Sequence, residues 1–198
     1  MASRFSRASK SFSSAFKSET SRQAFKLLAW VPVGIFFTRH VYSVATITGA
    51  SMQPTFNPDL ATQPLHNDVV LLERWSVAIG TFRRGDVVTL WSPQDPNLLT
   101  TKRIVALEGD VVRPLPPHSP TPVRIPQGHC WVEGDSHFHT RDSNTYGPIP
   151  LALINSKVSH ILWPRSRMGP VENGLGKAQG RVKRHTRMIH FEDDSYNP

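Results

Sequence analysis

After residue 48 the chain never sustains an apolar period of 3.6 residues; its apolar residues come in short runs, each closed by Gly, Pro, Asn or Asp. A helix that buries one face needs that period, whereas a strand needs only a short run ended by a turn former. VVLLERW (69–75), DVVTLW (86–91), KRIVALE (102–108), DVVRPL (110–115), PVRI (122–125), HCWVEG (129–134) and KVSHILW (157–163) therefore read as strands, with one short helical turn in PLALIN (150–155). The segment 113–126 holds six prolines and reads as a loop or edge excursion, because proline cannot donate to a ladder. The expected fold class is mainly β.

Ahead of this region the texture differs. Residues 1–26 carry six Lys/Arg and one Glu among many serines, with Phe5, Phe12, Phe16 and Phe25 scattered between them, which fits a mitochondrial targeting segment or a basic arm. LLAWVPVGIFF (27–37) is uncharged and apolar, and after Thr38, Arg39 and His40 the run resumes as VYSVATI (41–47). Together residues 27–47 have the length of a single helix crossing a bilayer of roughly 30 Å, at the cost of one arginine near its middle. If it spans, the basic residues before it keep the N-terminus on the matrix-like side and send everything after residue 48 across. The expected organisation is a basic segment 1–26, a membrane helix 27–47, a β-rich domain 48–164, and a polar, basic, disordered tail 165–198.

The formal charge of +8 sits at the ends. Residues 1–26 contribute +5 and residues 165–198, with seven basic and four acidic residues, contribute +3; residues 27–164 hold ten of each sign. A nucleic-acid-binding domain needs a cationic folded surface, so this partner is not expected. The single cysteine, Cys130, has no partner in its own chain, and it lies in a strand beside Trp131, where a buried packing role is expected. No nucleotide-binding loop or cofactor motif is present, and His137, His139, His129 and Asp135 do not make a convincing metal-ligand set.

Four clusters carry groups able to do chemistry: Gly49-Ala-Ser-Met-Gln-Pro-Thr55, Arg84-Gly-Asp-Val-Val88, Thr101 to Asp110 (TKRIVALEGD), and Gly134 to Pro148 (GDSHFHTRDSNTYGP). A serine hydroxyl attacks a carbonyl only when a base takes its proton. Histidine can be that base, and so can a lysine whose burial lowers its pKa until it is uncharged. Lys102 is the only lysine between residues 27 and 156 and opens the apolar strand IVAL, a setting that can desolvate it. A triad of Ser51, one of His137 and His139, and Asp142 remains the rival.

The order of GASMQPT, KRIVALEGD, GHCWVEGD, DSN-x-x-GP and HILWP resembles the type I signal peptidases, membrane-bound serine proteases with a Ser–Lys dyad, and within them most closely the second-subunit branch of the mitochondrial inner membrane peptidases. The resemblance covers about residues 27–164. It implies an antiparallel β-sheet domain behind one N-terminal membrane helix, with Ser51 as nucleophile and Lys102 as general base. It assigns Thr140 the hydroxyl that orients the lysine amine, and Asp142 a supporting role through a pair with Arg103. Strand alternation would turn Lys102 and Arg103 to opposite faces. Gly134 and Asp135 would shape the loop that brings Thr140 in. The backbone N–H of Ser51 is one oxyanion donor; the second is unassigned, since Gly49 stands where some relatives have a hydroxyl residue.

The activity so implied is removal of presequences from precursors sorted to the intermembrane space, with no cofactor and no metal. The implied partners are a homologous catalytic subunit, the precursors and membrane lipid; the implied location is the inner membrane with the catalytic domain facing the intermembrane space. The opposed reading is a membrane-tethered stabilising subunit that keeps the fold without turning over.

Overall fold

Adjacent valines and isoleucines recur in the strand runs instead of alternating with polar residues, and the reason is that the sheet is covered on both sides. In the computed structural model, which describes residues 23, 24, 26, 28–37, 40–58, 67–136, 140–175 and 178–184, the neighbours Val87 and Val88 enter different core clusters, as do Ile104 and Val105. One cluster gathers Met52, Phe56, Val70, Leu72, Val87 and Val158; a second gathers Val88, Leu90, Ile104, Cys130, Val132 and Ile149; a third gathers Val105, Val112, Ile125, Trp131 and Ala178.

The strands are β1 (Tyr42–Thr46), β2 (Val69–Glu73), β3 (Val87–Trp91), β4 (Leu99–Leu107), β5 (Val111–Val112), β6 (Val123–Arg124), β7 (His129–Glu133), β8 (Ile149–Pro150), β9 (Ile154–Trp163), β10 (Gly169–Pro170) and β11 (Val182–Lys183). The main sheet runs β1-β2-β9-β3-β4-β7-β8, with β10 paired to β9; a small sheet runs β11-β5-β6. The pairings whose register is defined are antiparallel. A mainly β, antiparallel architecture is thus observed. The turn in PLALIN is the 3₁₀ segment Leu151–Leu153, while residues 113–122 of the proline-rich stretch lie outside the strands.

Three sequence expectations are corrected. VVLLERW ends as a strand at Glu73, and Trp75–Ala78 forms a short helix, α2, because the Glu73 carboxylate accepts the Ser76 backbone N–H at 2.5 Å and its hydroxyl at 2.7 Å. The apolar stretch 27–47 is not one helix. Residues 28–37 are helical (α1), with Leu28, Trp30, Val31 and Phe36 exposed, whereas VYSVATI becomes β1, as suits a stretch rich in β-branched and aromatic residues with alternating exposure. No helix among the described residues is long and apolar enough to cross a membrane. The basic segment 1–26 lies almost wholly outside the described residues.

The third correction concerns the tail. Residues 165–175 and 178–184 belong to the fold, because apolar residues spaced among the charges reach the core: Val171 is buried in the first cluster, Ala178 in the third, and Leu175 and Val182 pack beside the third. Its arginines meet buried acids, Arg167 with Asp68 and Arg181 with Glu133. Residues 185–198 lie outside the described part. The Arg84 cluster is likewise structural, since Arg84 grips Asp110 through Nε at 2.6 Å and Nη2 at 2.7 Å, tying the loop before β3 to the turn after β4.

Cys130 is fully buried, and desolvation pushes its thiol pKa up to about 12. A neutral, sealed thiol is a poor nucleophile. The folded protein is therefore expected to resist alkylation by iodoacetamide at neutral pH and to take up one label per chain only after unfolding, as intact mass would show; rapid labelling of the native protein would contradict this packing.

Candidate active site

The loop that carries Ser51 leaves β1 at Thr46 and is nailed to the core on either side of the serine. Met52 and Phe56 are essentially inaccessible, and one helical turn joins them through the Phe56 N–H to the Met52 carbonyl at 3.0 Å. Gly49, at φ +87, makes the bend that a side chain would strain. Ser51 is left half-buried, facing a cleft of about 240 Å³ that it shares with Ala45, Leu98, Leu99, Thr101 and Lys102.

Lys102 stands mid-strand in β4, in register with Val88 of β3, and is only 3% exposed. Among the described residues, none of the salt bridges involves its amine. Burial lowers its pKa from the usual lysine value, while the charges of Asp142 first and Asp135 second push the other way. Desolvation wins, so the site holds an amine biased toward its uncharged, proton-accepting form. The lysine at the head of the apolar run IVAL is thus buried, and it lines the same cleft as Ser51.

The segment after β7 packs against the back of the Ser51 loop. A Cβ at Gly134 would come within 2.5 Å of the Ser51 carbonyl oxygen and closer still to Thr140 Oγ1, so only glycine lets these chains pass. The Ser136 N–H donates to that Ser51 carbonyl at 3.0 Å, fixing the Ser51 loop to this segment. Asp142 caps α3 (Ser143–Tyr146), accepting from the Asn144 backbone N–H and Nδ2, both at 3.0 Å, and from the Gly134 N–H at 3.1 Å. Thr140 Oγ1 donates to Asp142 Oδ2 at 3.0 Å, so the aspartate fixes the hydroxyl that the sequence had directed to the lysine.

The expected pair between Arg103 and Asp142 is corrected. Arg103 makes a two-pronged pair with Asp135, Nε at 2.9 Å and Nη2 at 2.7 Å, and also donates to Thr55 Oγ1 and to the carbonyls of Gly85 and Glu172. The register explains the exchange. Arg103 faces Glu133 across β4 and β7, which puts Asp135, two residues on, within its reach, while Asp142 is already occupied by local donors. Asn57, Asp68 and Arg167 were not singled out in the sequence, and Thr55 stood there only as the end of the GASMQPT cluster. His137 and His139 lie outside the described residues; among the described residues no group of three or more His, Cys, Asp or Glu could hold a metal.

Residues 20–115 match the signal peptidase family, peptidase S26. With relatives this similar over most of their length, the chain belongs to that family. Within it, the chain is 44% identical to mitochondrial inner membrane protease subunit 2 of Schizosaccharomyces pombe over 158 residues, covering 80% of this chain and 85% of the relative. It is 45% identical to the subunit 2 of Mus musculus, covering 73% of this chain and 81% of the relative. It is also 38% identical to mitochondrial ATP-independent inner membrane protease subunit 1a of Arabidopsis thaliana, covering 66% and 76%.

Proposed function

We propose that the chain is a serine endopeptidase of the Ser–Lys type that removes presequences from precursor proteins. The observation that carries this reading is the shared cleft: a half-buried serine and a buried lysine of lowered pKa line one cavity. In acylation, Ser51 Oγ bonds to the scissile carbonyl carbon while its proton passes to Lys102 Nζ; the ammonium then protonates the leaving amine as the peptide bond breaks. In deacylation, water gives a proton to the neutral amine and attacks the ester, releasing the carboxylate and restoring Ser51. The backbone N–H of Ser51 serves as one donor to the oxyanion. Thr140, held by Asp142, orients the lysine, and the Arg103–Asp135 pair braces β4 beside it.

The names of the relatives support the setting. The proposed location is the mitochondrial inner membrane, with the catalytic domain in the intermembrane space, the proposed partner a homologous protease subunit, and the proposed anchor the apolar N-terminal region containing α1. Anchoring would raise the effective concentration of membrane-tethered precursors.

The test is a pH–rate profile of peptide cleavage. Activity needs the uncharged amine, so kcat/KM should rise as pH climbs through the lowered Lys102 pKa, from neutral into mildly alkaline solution, and level off above it. A rate independent of pH over that range, with chemistry limiting, would refute a lysine base. Retention of cleavage by Ser51→Ala would refute the nucleophile.

A further inference from the structure

Eleven residues, 47–57, carry Ser51 between β1 and the rest of the domain, and one buried side chain closes them into a ring. Asn57 is 2% exposed and adopts a positive φ of 49°, a conformation asparagine tolerates better than most residues. Its Nδ2 donates to the carbonyl of Ile47 at 2.8 Å and to that of Gly49 at 3.4 Å, the two backbone positions that lead into the serine. Its other atoms meet Asp68 reciprocally: Oδ1 accepts the Asp68 N–H at 2.7 Å, and the Asn57 N–H donates to Asp68 Oδ2 at 2.9 Å. Asp68 is 1% exposed, and Arg167 supplies its counter-charge through Nη1. The same guanidinium reaches the far side of the loop, where Nη2 donates to the Thr55 carbonyl at 2.6 Å.

Each bond in this set ends on a backbone group of the Ser51 loop or on the acid that organises it. Asn57, Asp68 and Arg167 do not themselves line the cleft; they hold Ile47 and Gly49, which do. A loop held only by Met52 and Phe56 in the core could still tilt about those anchors, since apolar packing is non-directional. Hydrogen bonds to the carbonyls of residues 47, 49 and 55 remove that freedom on both sides of the serine. The hydroxyl reacts only from a near-attack geometry, where a misplacement of about 1 Å can cost roughly 10²-fold in rate.

We infer that Asn57, Asp68 and Arg167 are positioning residues for the reaction: they set the approach of the Ser51 hydroxyl to Lys102 without touching either. This rests on the reading of Ser51 as nucleophile. The arrangement joins the C-terminal segment to the chemistry, because Arg167 belongs to the 3₁₀ turn Arg165–Arg167, beyond β9.

The test uses the full-length chain with four variants, Asn57→Gly, Arg167→Gln, Arg167→Lys and Ser51→Ala. Cleavage of an internally quenched presequence peptide is measured per reactive serine, titrated with a serine-directed acylating probe. Glycine accepts the positive φ, so Asn57→Gly removes the side-chain bonds without backbone strain. The expected result is a kcat lowered roughly 10- to 100-fold for Asn57→Gly, with KM within about twofold, in protein that still melts cooperatively. Arg167→Gln should move the same way by a smaller factor, and Arg167→Lys should recover the melting temperature more fully than kcat, because an ammonium can pair Asp68 but lacks the fork that also reaches Thr55. A purely structural role predicts lower melting temperatures with an unchanged kcat per titrated serine, and that result overturns the proposal. Should Asn57→Gly fail to fold, unchanged kcat in Arg167→Gln alone overturns it. Ser51→Ala separates the two levels: cleavage by that variant defeats the nucleophile reading itself, whereas its inactivity beside unaltered positioning variants defeats only the clamp.

Discussion

Replacing Lys102 with methionine is expected to abolish peptide cleavage, by roughly 10⁴-fold or more, and at the same time to raise the melting temperature at neutral pH. The two effects share one cause. Burial makes the amine a base, and burial also makes its charged form costly. Between the lowered folded pKa and the ordinary lysine value of 10.5, the unfolded chain binds more protons at this site than the folded one, so stability rises with pH through that window. Below the folded pKa the penalty is complete and constant. Methionine fills similar space without a charge to desolvate, so its stabilising effect is largest below the lowered folded pKa and shrinks as pH approaches 10.5. Each kcal/mol recovered should appear as a rise of about 2–4 °C for a chain of this size. Thermal melts of both proteins across pH, beside cleavage rates, check this. A variant that is inactive and also much less stable at neutral pH would show that Lys102 is held charged by its acids. Cleavage surviving Lys102→Met but lost in the double variant His137→Ala, His139→Ala would move the base to histidine.

The second large effect is expected from the smallest change, Gly134→Ala. The added methyl would lie within 2.5 Å of the Ser51 carbonyl oxygen, and that carbonyl is not free to retreat because it accepts the Ser136 N–H at 3.0 Å. On its other side the methyl meets Thr140, whose hydroxyl is tied to Asp142. Overpacking of this kind costs about 1–3 kcal/mol, and the strain falls on the contacts that hold the Ser51 loop and Thr140 together. A melting temperature lowered by several degrees and a kcat reduced roughly 10²-fold are expected. Wild-type kinetics in Gly134→Ala would mean the three segments approach less closely than 2.5 Å implies.

Legibility in the sequence followed the range over which each feature acts. Lys102 at the head of IVAL could equally be a solvated edge charge by position alone; it was its company with the Ser51 cluster that pointed to a buried amine, and the structure buries it. The strands were readable because apolar runs closed by turn formers are local signals, although β1 was hidden inside the apolar stretch 27–47, where length suggested a helix and only the β-branched and aromatic residues of VYSVATI spoke for a strand. The tail misled through composition: its charges masked Val171, Leu175, Ala178 and Val182, whose burial depends on surfaces formed far away in the chain. The partner of Arg103 could not be read, because the choice between Asp135 and Asp142 turns on the β4–β7 register and on how many local donors already occupy Asp142. The clamp was least visible of all. Asn57 and Asp68 stand 11 positions apart and Asp68 and Arg167 stand 99 apart, and nothing in the spacing of three ordinary polar residues announces that they meet.

The Glu172 carbonyl bound to Arg103, and the backbone of Asn173 and Gly174 resting against Gly85, have a consequence for the order in which the molecule becomes complete. A polypeptide emerging from a ribosome presents Ser51 and Lys102 well before residues 165–184 follow, yet that last stretch supplies a brace to the Ser51 loop, through Arg167, and one to β4, through the Glu172 carbonyl. Neither brace is complete until the end of the chain has folded back onto residues that precede it by 69 positions or more.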